Sequence, residues 1–308
     1  GDWPSARHVV LCNEPALDDI VRLRIDQVCR AFLALEDLCG AQKCAHMPLY
    51  HPFGMTEAGI GNLAGKVRQF LGVGQAVVFD YLELLENVGL RIIFCPLGEG
   101  VESAAFYDPL NANAFLIVRS GMNVERQLFE LVKRLGSIYL HTQRIQLTRQ
   151  APVSSALNDL HAARKFAALF LMPAEAVRAS VEQLAIQPKA WTYDLVLRLK
   201  HRFGVSAQSF LIRLCELDLI SAAAHAEIEK RIKAHYSRTG YGEPDFSRRI
   251  LSTNGRLGDL LVVALADPRR NEEARKIERL LSKAGVNWRN CGRNRGKAAG
   301  QDHMKSKL

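Results

Sequence analysis

The chain has 308 residues, a formal charge of +9 at pH 7 and an apolar fraction of 48%. That length suits two or three subdomains around a sizeable core, and no apolar run reaches the ~18 residues that a bilayer span requires. The basic balance favours anionic partners, nucleic acid among them, without specifying one.

Cysteines stand at positions 12, 29, 39, 44, 95, 215 and 291. Their number is odd, their spacing irregular, and no C-x-x-C pair occurs. A zinc knuckle is therefore not expected, and reduced thiols in a cytoplasmic protein are. The chain opens on Gly1 in mid-pattern, which reads as the remainder of a longer protein.

Apolar residues from Leu17 to Leu38 recur every three to four positions, predicting a helix over 14–39 that ends at Gly40. Such a helix can link to an upstream domain, pair with itself, or pack on the body. Residues 41–55 read as a loop. Thr56 caps a helix to about Leu71, and another starts near Asp80. Strands are predicted at Gly89–Leu97, Ser103–Tyr107 and Ala114–Val118. A long helix follows from Arg126, and two more over 151–187 break at Met172-Pro173. Thr192–Phe203 and Ala207–Leu217 read as a helix-turn-helix around Gly204-Val205-Ser206, with Ser206 as N-cap. Helices are expected at 222–237 and 256–284, then a basic disordered tail from Asn287.

Arg126 to His141 reads R-Q-L-F-E-L-V-K-R-L-G-S-I-Y-L-H. This resembles the active-site helix of the ImmA/IrrE zinc peptidases, whose line runs roughly R-Q-R-F-T-L-A-H-E-L-G-H-L-L-L-H. Arg126, Gln127, Phe129, Leu131, Leu135, Gly136, Leu140 and His141 match it. The family's first metal histidine falls on Lys133, its general-base glutamate on Arg134 and its second histidine on Ser137. Ala162 to Pro173, A-A-R-K-F-A-A-L-F-L-M-P, resembles the family's E-A-N-x-F-A-A-x-L-L-M-P. There the third ligand, a glutamate, falls on Ala162. Ala64–Gly74 and Gly242-Glu243-Pro244 also resemble family segments, so the resemblance runs from about Thr56 to Leu281.

Two histidines one helical turn apart can grip a metal, with a glutamate between them to deprotonate its water. Lysine and arginine at those positions offer positive charge and no lone pair. The resemblance therefore implies an α+β fold: a mostly helical, zincin-like pseudo-peptidase with a small β-sheet, a helix-turn-helix and a C-terminal helical region. The division expected is 1–55 as an N-terminal linker or dimerisation helix, 56–190 as the pseudo-peptidase domain, 191–240 as the helix-turn-helix-like subdomain, 241–286 as the C-terminal helical region and 287–308 as the tail.

Lys133, Arg134, Ser137, Arg126, Ala162 and Arg164 are the candidate ligand-binding residues of the degenerate cleft, suited to a carboxylate or phosphate. The alternative for Lys133 and Arg134 is a solvated helix face. Gln208, Ser209 and Arg213, with Arg293 and Arg295 of the tail, are candidate DNA contacts; the alternative is that the segment is scaffold. No catalytic residue, metal or cofactor is expected, and a site rebuilt from His141, His161 and Asp159 or Ser137 fits poorly.

Relatives of this kind often follow an XRE-type helix-turn-helix. The leading expectation is thus a catalytically inactive sensor region of a cytoplasmic, dimeric transcription regulator. It would bind an anionic ligand or a protein segment in the old cleft and reach DNA through a missing N-terminal domain. The second is an interaction module that holds a repressor or antitoxin segment, with a partner strand added near 114–118. The third is a metallopeptidase with non-standard ligands.

Overall fold

The computed structural model describes residues 18–48, 54–108, 111–148, 159–245, 247 and 254–289, with the backbone alone at 143–148 and 159. The first half runs α1 (Asp19–Cys39), α2 (Glu57–Phe70), α3 (Tyr81–Asn87), β1 (Arg91–Cys95), β2 (Ser103–Asp108) and β3 (Asn113–Arg119). Next come α4 (Val124–Thr148), α5 (Asp159–Leu171), α6 (Ala174–Glu182), α7 (Tyr193–Phe203) and α8 (Ala207–Glu216). The last are α9 (Ala222–Thr239), α10 (Gly255–Ala266) and α11 (Asn271–Lys283). This is the mostly helical α+β fold with a small sheet that the sequence led us to expect.

Short polar side chains start the helices by accepting the orphan amides of the first turn. Asp18 accepts from the Val21 N–H at 2.8 Å, Thr56 from Gly59 at 3.1 Å, Asp80 from Glu83 at 3.0 Å and Ser206 from Ser209 at 3.1 Å. Residues 14–17 of the first predicted helix lie outside the described residues. The predicted helix over 256–284 is two helices. Asp267-Pro268 separates α10 from α11, because proline supplies no amide for a continuing helix.

The strand order is β1-β3-β2, with β1 parallel and β2 antiparallel to β3. Both edges of β3 are therefore paired. The expected addition of a partner strand near 114–118 is corrected on this point, since β3 has no open edge.

All three strands are buried on both faces, and alternate residues serve two cores. Ile92, Phe94, Ala105, Tyr107, Leu116 and Val118 face a core shared with α2 to α9. Ile93, Cys95, Ala104, Phe106, Phe115 and Ile117 face a second core built from α1, α10 and α11. The first and last described helices thus cover one side of the sheet together. Trp288, placed in the tail by sequence, packs against this second core. Residues 290–308, with Arg293 and Arg295, lie outside the described residues.

A buried charged clamp joins that cover to the sheet. Arg91 donates to both carboxylate oxygens of Glu36 at 3.0 and 2.7 Å and to the Lys43 carbonyl at 2.7 Å, and Arg256 of α10 also pairs with Glu36. Nearby, Gly89 sits at φ +93°, where a Cβ would come within 2.0 Å of the Cys44 carbonyl oxygen. Only glycine lets the chain after α1 pass there. Cys29 and Cys95 lie in the second core. Burial raises both thiols, Cys95 to about 12, so they behave as small hydrophobes.

Candidate functional site

The two helices that carry the family motifs, α4 and α5, pack on each other, and α4 also lies across β2 and β3. Gly136 makes the close approach possible. A Cβ there would fall 2.5 Å from the Phe166 ring. Ala162 and Ala163 are buried on the facing side of α5.

Glu130, Lys133, Arg134 and Ser137 recur at i, i+3, i+4 and i+7, which puts them on one face of α4. All four are buried, with Lys133 4% and Arg134 5% exposed. The Lys133 ammonium lies 2.5 Å from Glu130 Oε1. The other Glu130 oxygen accepts the Ser103 hydroxyl of β2, and Ser103 Oγ accepts from Arg134 Nε at 2.8 Å. The Ser137 hydroxyl donates to the Lys133 carbonyl at 3.1 Å. Burial holds the Lys133 pKa below its ordinary value, and the charges of Arg134 and Arg164 push the same way; Glu130 opposes them.

The structure thus gathers Lys133, Arg134 and Ser137 around two residues the sequence reading did not single out, Glu130 and Ser103. Arg164 is exposed on α5, near enough for its charge to act on Lys133. Arg126 lies apart from the network: it is half exposed and paired with Glu102. The signal for Glu130 was its opposite charge three residues before Lys133. Ser103, a lone hydroxyl opening an apolar strand, gave little.

These residues do not fit a zinc ion. At the family's ligand positions stand an ammonium already paired, a serine hydroxyl bonded to a main-chain carbonyl and the methyl of Ala162. Among the described residues, no three His, Cys, Asp or Glu side chains are grouped so as to hold a metal.

A second charged cluster sits at the other end of α4. Lys200 of α7 is fully buried, 3.3 Å from Glu125 and 3.0 Å from Glu243. Glu243 also accepts the Ala207 N–H at 2.7 Å and the Tyr236 hydroxyl at 2.9 Å. Burial, reinforced by Glu243, raises the Tyr236 pKa.

The candidate DNA contacts belong to α8, joined to α7 by the short turn predicted for it. Ser209 Oγ lies 2.9 Å from Ser206 Oγ, and Gln208 is half-buried. Arg213 is 7% exposed; it donates to the Met172 carbonyl at 3.1 Å and to Glu216 at 2.9 Å. No described helix is long and apolar enough to cross a membrane.

Residues 85–215 match the model of the Peptidase_M78 family, described as IrrE N-terminal-like domain. No curated protein matches the chain. Among solved structures, a Mycobacterium tuberculosis transcriptional regulator is similar at 17% identity over 61% of this chain, with a TM-score of 0.37. The chain spans about half of that protein, 51% of its length.

Proposed function

We propose that the chain is the sensor region of a cytoplasmic transcription regulator, in which the IrrE-like domain binds without cutting. The observation that supports this reading is the buried network of Glu130, Lys133, Arg134 and Ser103, built around Lys133 and Arg134, where the resemblance places the family's first metal histidine and general base. Lys133 and Arg134 offer a metal no lone pair, but a lysine and an arginine side by side recognise carboxylate or phosphate.

The network supplies a switch as well as a binding site. Glu130 occupies Lys133 as an internal carboxylate. An incoming anion, with Arg164 exposed nearby on α5, competes with Glu130 for the same ammonium. Release of Glu130 frees Ser103 and so alters the contact between α4 and the sheet. A ligand that binds one arrangement better than the other shifts the population between them. The readout is DNA binding by a homodimer through an N-terminal domain outside this chain. Gln208, Ser209 and Arg213 add contacts only if Arg213 leaves Met172 and Glu216.

Metal analysis and a melt separate this reading from its rivals. The purified chain is expected to hold far less than one zinc per molecule and to cleave no peptide. Phosphate or citrate should raise the melting temperature of the wild type and not of Lys133→Ala, with circular dichroism confirming that the variant folds. Stoichiometric tightly held zinc, or an equal shift in the variant, would overturn the proposal.

A further inference from the structure

The side of the molecule remote from the α4 network carries a groove between α1 and α11, which pack against each other. Its volume is about 630 Å³. Each helix lines it with a stripe at i, i+3, i+4 and i+7: Ile20, Leu23, Arg24 and Gln27 from α1, and Lys276, Arg279, Leu280 and Lys283 from α11. The result is an apolar strip flanked by cations. Ile20 and Leu23 are 74% and 59% exposed, large apolar surfaces in water on a helix whose opposite face is fully used in the second core. Among the described lining residues four are basic and none is acidic. Lys276 pairs with Glu272 and Glu273 of its own helix, whereas Arg24, Arg279 and Lys283 make no salt bridge among the described residues.

We propose that this groove docks an acidic amphipathic helix of a partner protein. Two helices in contact leave a furrow that a third helix fills, with its apolar stripe on the strip and its carboxylates on the cations. Charge complementarity selects this occupant. A second copy of the chain, joined through the same face by a two-fold axis, would set Arg24, Arg279 and Lys283 against their own images. A nucleic-acid backbone would satisfy the cations but leave Ile20 and Leu23 against phosphate and water.

The experiment is fluorescence anisotropy on the full chain with three labelled helical peptides. One carries leucines at i, i+3, i+4 and i+7 with glutamates elsewhere. The second keeps the leucines and substitutes lysines for the glutamates. The third has the composition of the first in scrambled order. The acidic amphipathic peptide is expected to bind at least about tenfold more tightly than either other. Arg279→Glu with Lys283→Glu should cut that binding at least about tenfold and admit the lysine peptide. Ile20→Asp with Leu23→Asp should weaken both. All four positions are exposed or rim residues, and circular dichroism checks that each variant folds.

Three results would overturn the proposal: equal binding of the ordered and scrambled acidic peptides, duplex DNA binding lost in the Arg279/Lys283 variant while peptide binding persists, or a dimer that dissociates in the Ile20/Leu23 variant.

Discussion

Lys133 and Lys200 are both buried, yet they belong to opposite kinds of charge cluster. Lys133 takes its carboxylate from one turn earlier on its own helix and sits among further positive charge, Arg134 beside it and Arg164 across from it. Lys200 takes two carboxylates from distant segments, Glu125 at the start of α4 and Glu243 beyond α9. Those carboxylates are themselves held by main-chain amides of Ser247 and Ala207, at 2.6 and 2.7 Å. The first cluster ties α4 to β2 alone, through Glu130, Arg134 and Ser103, and under the proposed function its internal carboxylate gives way to another anion. The second clamps α4, α7, α8 and α9 together, and its parts have no substitute. Buried charge in one molecule thus joins neighbours on one helix and one strand in one place, and distant segments of the fold in another.

The comparison breaks first at Lys200. Removing one partner of a buried ion cluster leaves the rest desolvated and uncompensated, which costs about 3–5 kcal/mol. Lys200→Met should lose that much in a denaturant melt. Neutralising Glu125 and Glu243 to glutamine in the same chain should restore a good part of it, because the orphaned charges go too. A loss under about 1 kcal/mol would show that the cluster is not a clamp.

How much of this was legible in the sequence follows the range of the interaction. Thr56 and Ser206 announced their helices, since a cap needs only residues three apart. The strands and the break at Met172-Pro173 were equally local. The resemblance that places Lys133, Arg134, Ser137 and Ala162 at the family's site was local too, because it rests on two contiguous segments. The Asp267-Pro268 break was readable in the same way and was missed. Lys200 was not readable: a lysine in the last turn of a helix is ordinarily a solvated favourable end charge, and nothing nearby in sequence points to Glu125 or Glu243. The engagement of Lys133 was hidden for a related reason. An i,i+3 pair of opposite charges is usually an exposed face, and only Ser103 on a strand and the packing of α5 bury this one.

A smaller effect is expected at Lys133. Lys133→Met leaves Glu130 with the Ser103 hydroxyl, so the penalty should be about 2 kcal/mol, the scale of a hydrogen bond to a charged group. Its pH dependence identifies the cause. The folded Lys133 pKa is lowered, so between that pKa and about 10.5 the unfolded chain binds more protons than the folded one. The stability Lys133 confers therefore rises with pH across that window. The gap between wild type and variant should widen as pH rises towards 10.5. A constant gap would mean that Lys133 is not held in the desolvated setting described above.

The smallest effect concerns a half-buried carboxyl outside both clusters. Glu86, at the end of α3, has its pKa raised to about 7, chiefly by burial; Arg256 opposes the shift, and Asp259 and Asp80 add to it. Between the ordinary carboxylate value of 4.5 and about 7 the folded chain binds the extra proton. Its contribution is therefore fully present below 4.5 and is lost as pH rises through 7. Glu86→Gln removes that loss. The variant should melt about 1–3 °C above the wild type near pH 8 and at the same temperature near pH 5. Were the gain instead present at pH 5, or absent at both values, burial would not be what sets this carboxyl apart.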